Sequence, residues 1–196
     1  MAQVDNPHTP DPGAQAEKER LYAQYGRAML GFQVVETGLV RLAIPALPEP
    51  DEDATVDEAW RVVDRLYSKT MGHVKHKIEK GVEGVPPELL DQLAWGLETR
   101  NSLAHDYLRD RLAALRDGGA RRSIIAELDG IIERTAALNQ LVREFGDHLM
   151  REAGTDPAPG REFARQLNDE GVDFQTIRRE LPKLAQEFLD SQRKSQ

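Results

Sequence analysis

Two long apolar runs at alternating steps of four and three leave this chain little freedom in what it can fold into. Leu21, Tyr25, Ala28, Phe32, Val35, Leu39 and Leu42 form the first. Ile124, Leu128, Ile131, Leu138, Val142, Phe145 and Leu149, with Thr135 in line, form the second. An α-helix turns once in about 3.6 residues, so this spacing gathers each run on one face. It predicts helices over about 16–44 and 120–153. Both seams approach heptads, which suits coiled-coil-like side-chain packing within a bundle or across a dimer.

The punctuation between the runs is equally helical. Pro45, Pro48 and Pro50 with the acidic Asp51, Glu52 and Asp53 stop the first helix. Thr55 with Glu58 makes a capping-box pattern that opens a helix to about Tyr67. A shorter helix is expected over 71–80, ended by Gly81, Gly84 and the Pro86-Pro87 pair, and another over 87–116, closed by Gly118 and Gly119. No stretch shows the alternation of a strand. The expected fold is all-α: an up-and-down helical bundle with its two long helices antiparallel. Residues 1–15, broken by Pro7, Pro10 and Pro12, read as a disordered tail. The helical domain spans 16–153, and 154–196 reads as a C-terminal helical extension whose short helices turn Phe174, Ile177, Leu181, Leu184 and Phe188 inward.

Charge and cysteine content exclude whole classes of function. The 196 residues carry a net charge of −8, which argues against coating nucleic acid by bulk electrostatics but leaves room for a local basic cleft. The absence of cysteine removes disulfide scaffolds, thiolate metal sites and thiol nucleophiles. No signal-peptide pattern opens the sequence, and no run approaches the roughly 18 apolar residues of a bilayer span. A cytoplasmic, non-membrane protein is expected. His73 and His76 share a helix spacing that can hold a metal, but Lys75 and Lys77 flank them and no third ligand is near in sequence, so neither metal nor cofactor is expected. Trp60 and Trp95 read as core or interface anchors.

One helix breaks its own pattern. The stripe Leu90, Leu93, Leu97 resumes at Ala104, Leu108, Leu112 and Leu115, and between the halves stand Arg100 and Asn101, with His105 at the edge. A guanidinium, an amide and an imidazole in an apolar seam cost free energy unless something pairs with them. The partner is a buried network, a second subunit or an anionic substrate.

The local sequence Arg100-Asn101-Ser102-Leu103-Ala104-His105-Asp106-Tyr107 resembles the signature of the HEPN superfamily, an Arg followed after a short spacer by His, often with Asn after the Arg and Tyr two past the His. The resemblance implies a HEPN-like helical bundle acting as a metal-independent endoribonuclease, in a toxin or defence setting. Its site would be composite, formed across a homodimer interface. In that setting the catalytic residues are Arg100 and His105, with Asn101 and Tyr107 in support. His105 would move the proton of a ribose 2′-OH or of the leaving oxygen, imidazole being the side chain that ordinarily titrates near neutral pH. Arg100 would hold the scissile phosphate in its planar fork, leaving 2′,3′-cyclic phosphate ends. Partners implied are RNA and an antitoxin or nucleotidyltransferase that attaches AMP to the tyrosine. Two basic segments, 61–80 and 98–122, offer cations for a cleft. The bland readings stand beside these: Arg100 paired with an acid on a neighbouring helix, His105 a satisfied core imidazole, charge runs as solvated faces. They describe a non-catalytic helical dimer that binds a partner protein or a nucleotide.

Overall fold

The computed structural model describes residues 12–47, 56–67, 69–154 and 156. Its helices are α1 (Pro12–Ala43), α2 (Val56–Tyr67), α3 (Met71–Gly81), α4 (Pro87–His105), the single turn α5 (Tyr107–Asp110) and α6 (Gly118–Glu152), with 3-10 turns at Ile44–Ala46 and Ala114–Arg116. No strand occurs among the described residues, so the all-α class holds. The acidic loop 49–53, the Thr55 end of the capping box and the expected helices of 161–190 lie outside the described residues, as does the side chain of Trp60.

The described residues divide into two compact units, one drawn from those up to 38 and from 86–142, the other from those in 39–85 and from 143 onward. In the first, α1 meets α6 at a constant offset. Glu17 meets Arg121, Gln24 meets Asp129, Gly31 faces Thr135 and Gly38 faces Val142. Contacts that advance together along both helices mean that α1 and α6 run parallel. The expected antiparallel pairing of the long helices is therefore wrong, because a third long helix returns between them. On α4, Trp95 reaches Phe32 and Gln92 reaches Arg134, whereas Tyr107, just past the helix, sits by Tyr25, and Arg111 meets Glu127. Contacts that retreat on one helix as they advance on the other place α4 against the direction of both.

The seam repeats every seven residues. Residues 17, 24, 31 and 38 line α1, and the buried Arg121, Leu128, Thr135 and Val142 line α6. Glycine at two successive repeats lets the backbones approach: a Cβ on Gly31 would lie 3.1 Å from the Thr135 methyl, and one on Gly38 would lie 2.8 Å from a Val142 methyl. Around this seam Leu21, Ala28, Phe32, Leu103, Tyr107, Ile124, Ile125 and Leu128 form one buried cluster.

Helix α1 begins earlier than the composition of residues 1–15 suggests, for Pro12–Gln15 are already helical. Proline suits a first helical turn, where its missing N–H is not needed. Glu17 then fastens that turn, its carboxylate taking Arg121 at 3.0 Å and Arg122 at 2.7 Å. Arg121 is buried and also donates to the Leu115 carbonyl at 3.0 Å, so one guanidinium ties α1, the 111–117 segment and α6 together. At the start of α6 the Asp117 carboxylate accepts the Ala120 N–H at 2.7 Å, a cap that begins the helix two residues ahead of the expected 120.

In the second unit Leu39, Val40, Leu42, Ala43, Leu66, Met71, Val74, Ile78, Val82 and Phe145 are buried. Thr70 caps α3 by accepting the His73 N–H. Gly81 closes α3 directly against Ala46, and Gly84, at φ +70°, turns the chain toward Pro86 in a conformation that suits a residue without Cβ.

Gly38→Ala sets helix propensity, about 1 kcal/mol in its favour, against overpacking on Val142, about 1–3 kcal/mol. The packing term is expected to win in urea denaturation. In a Val142→Ala background the same change is expected to become favourable. Gly130→Ala, where nothing lies within 4 Å, should stabilise in either background. The two arginines hold the Glu17 carboxyl below its ordinary 4.5. Its contribution to stability is therefore present above that value and lost as pH falls through the lowered one. Glu17→Gln is expected to flatten the acid limb of the stability profile and lower stability at neutral pH.

Candidate functional site

The buried face of α4 is offset by one position from the expected stripe. Leu89, Leu93, Gly96 and Leu103 are buried, followed by Tyr107 just past the helix, while Ala104 and Leu112 are exposed. Both registers have the same spacing; packing on Phe32 and Ile124 selects the one that buries the larger Leu103 and Tyr107. In this register residues 89, 93, 96, 100, 103 and 107 fall in line, so Arg100 itself stands in the core-facing stripe. Asn101 and His105, four apart on the neighbouring face, point to solvent. The structure thus separates the eight-residue motif into an outward pair and an inward pair.

Arg100 enters the stripe with a partner. Its Nε donates to Glu36 Oε1 of α1 at 2.9 Å, with the two side chains 30% and 29% exposed. Nη1 lies 3.5 Å from Asn101 Oδ1. A guanidinium has five N–H donors in a rigid fork, and neither of those on Nη2 is engaged among the described residues. The site keeps a cation positioned by an acid on one edge and open on another. A pair this accessible to water contributes about 1 kcal/mol or less to stability. Glu36 cannot be identified from the sequence: it stands one residue past Val35 on α1, at the margin of a stripe, where acids are common.

His105 is the last residue of α4, and the expected continuous helix over 87–116 breaks there. The Leu103 carbonyl, which a continuing helix would offer to the Tyr107 amide, accepts the Tyr25 hydroxyl at 2.7 Å. Asp106 leaves helical geometry at φ −124° and its carboxylate takes Arg109 at 2.5 Å. The ladder restarts when the Asp110 amide donates to the Asp106 carbonyl at 2.9 Å. The His105 side chain is exposed and makes no hydrogen bond among the described residues.

Tyr107 does not join that surface. It is 3% exposed, in the cluster with Leu103 and Ile124, and its hydroxyl is buried with no hydrogen-bond partner among the described residues. The Arg111 guanidinium covers its ring at 3.8 Å and is itself held by Glu127 at 2.8 Å. Substrate contact by Tyr107, and transfer of AMP to it, would each require the ring to leave the core. Tyr107, expected in a supporting role, is therefore placed by the structure in the core and not on the surface that carries Asn101 and His105.

The basic segments are also less free than their counts suggest. Arg100 pairs with Glu36, Arg109 with Asp106 and Asp110, Arg111 with Glu127, and Arg121 and Arg122 with Glu17, leaving Arg116 of the six arginines in 98–122 without an acid among the described residues. Residues 61–80 belong to the other compact unit. His73 and His76 are exposed on α3, and no group of three or more metal-ligating side chains occurs among the described residues. No described helix is long and apolar enough to cross a membrane. Compared with protein-family models, with curated proteins and with solved structures, the chain matches none.

Burial above all, and then the Glu127 carboxylate, raise the Tyr107 phenol above its ordinary 10.0. A raised acid contributes stability below its unfolded value and loses it as pH rises beyond, because only the unfolded chain then ionises readily. Tyr107→Phe is expected to retain more of its neutral-pH stability at about pH 10.5 than the parent chain, judged by urea midpoints. Near pH 7 the variant should already be the more stable of the two, by up to about 1–3 kcal/mol, since the hydroxyl it lacks is buried without a partner.

Proposed function

We propose that the protein is a metal-independent endoribonuclease of HEPN type, acting as a toxin or defence protein in the cytoplasm, with a composite site made by two copies of the chain. The observation that carries this reading is the arrangement at the end of α4. Arg100 is anchored by Glu36 through Nε with Nη2 uncommitted, beside Asn101, which lies one helical turn before the exposed His105. Arg100 neutralises the scissile phosphate through its open edge. His105 accepts the 2′-OH proton as that oxygen attacks phosphorus, and the imidazole of the second copy delivers a proton to the departing 5′ oxygen. The products are a 2′,3′-cyclic phosphate and a 5′-hydroxyl end. Neither metal nor cofactor is needed, and Asn101 orients the phosphate or the imidazole. Tyr107 serves as core beneath the site, and an antitoxin would act by covering the dimer cleft.

A second reading is favoured by a specific observation. Arg100 already has its acid, and four other arginines of the segment have theirs. That suits a non-catalytic helical dimer that binds a partner protein or a nucleotide. Incubation of a panel of RNAs with excess chelator separates the two. Cleavage with cyclic phosphate ends is expected, and His105→Ala should lower the rate by about 10²-fold or more, the usual size of a general acid–base contribution, while leaving the dimer intact by size exclusion. No cleavage, or equal cleavage by the variant, rejects the enzyme.

A further inference from the structure

A cavity of about 530 Å³ opens between the first turns of α1 and the segment that follows α5, lined by Ala14, Lys18, Leu112, Leu115, Arg116 and Arg121. Its size falls within the range of small-molecule sites, about 300–1,000 Å³. Among the described residues the lining contains three cations and no carboxylate. Arg121 is paired with Glu17, and the Asp117 carboxylate accepts the Ala120 amide. Lys18 and Arg116 have no acid among the described residues. In a chain of net charge −8, two uncompensated cations at one opening form a local positive field.

The remaining wall is aliphatic. Leu112 is 60% exposed, beside the partly buried Leu115. No aromatic ring lines the cavity among the described residues, which disfavours a nucleobase, since bases are ordinarily held by stacking. We propose that this cavity binds a small anion with an aliphatic body, its carboxylate or phosphate head between Lys18 and Arg116 and its chain along Ala14, Leu112 and Leu115. The head gains charge-assisted hydrogen bonds, and the chain removes the exposed face of Leu112 from water. The site is separate from the Arg100–His105 surface and does not depend on it.

Calorimetric titration of the full chain with decanoate, below its micelle concentration, tests this. Saturable binding is expected, at least about tenfold tighter than for decanol or for inorganic phosphate alone, because each lacks one half of the recognition. The double variant Lys18→Gln/Arg116→Gln should weaken decanoate by about tenfold or more, and Leu112→Ser should weaken decanoate while leaving phosphate unchanged. Both alter exposed side chains, and circular dichroism checks that they fold. Absence of saturable decanoate binding, equal affinity for decanol, tighter binding of AMP than of decanoate, or full affinity in the double variant would each overturn the proposal.

Discussion

The close parallel approach of α1 and α6 is the constraint on which the rest of the first unit depends. Gly31 and Gly38 remove the side chains that would hold the two backbones apart, and Thr135 and Val142 fill the space. With the seam drawn tight, α4 can be seated only where Phe32, Leu103, Tyr107 and Ile124 converge. Arg121 closes the same seam at its start. Its desolvation would be costly alone, and it is offset by Glu17 and by the Leu115 carbonyl, which between them engage each of the three guanidinium nitrogens. Packing sets the distance and electrostatics sets the register, each at a different point of one seven-residue repeat.

The end of α4 shows how a single hydroxyl distributes a short motif over two environments. By taking the Leu103 carbonyl, Tyr25 occupies the acceptor on which the next helical turn would have relied. The chain then turns at Asp106, so that His105 remains at a helix terminus in solvent while Tyr107 enters the core two residues later. Tyr107 brings an unpaired phenol into a low-dielectric place, a cost of about 1–3 kcal/mol. The Arg111 guanidinium over its ring and the apolar burial of the ring itself act in the other direction.

Much of this is legible in the residues alone, and the limits are specific. Steps of four and three identify α1 and α6 because the buried faces are unmixed: Leu21, Phe32, Val35 and Leu39 are all nearly inaccessible. Their relative direction is a different kind of property, set by how many long helices intervene, and no local pattern encodes it. On α4 two leucine stripes one residue apart have equal spacing, and only neighbours distant in sequence decide between Leu103 and Ala104. The same degeneracy makes the polar break at Arg100 visible while concealing which of its neighbours faces inward. Glu36, 64 residues away in sequence, and Tyr25 carry no sequence mark of their roles, because a carboxylate at a stripe margin and a tyrosine within a stripe are both ordinary.

The attachment of Arg100 to Glu36 has a consequence for direction. A guanidinium is a flat plate with distinct edges, and here the Nε edge is already occupied. Any second anion must arrive along the remaining Nη edge, in the plane of the plate, and cannot choose its angle by swinging the side chain around. The acid thereby acts as a jig: it fixes the line of approach before a ligand is present. A lysine in this position, with three equivalent protons on a rotating ammonium, would hold the same charge without any preferred bearing.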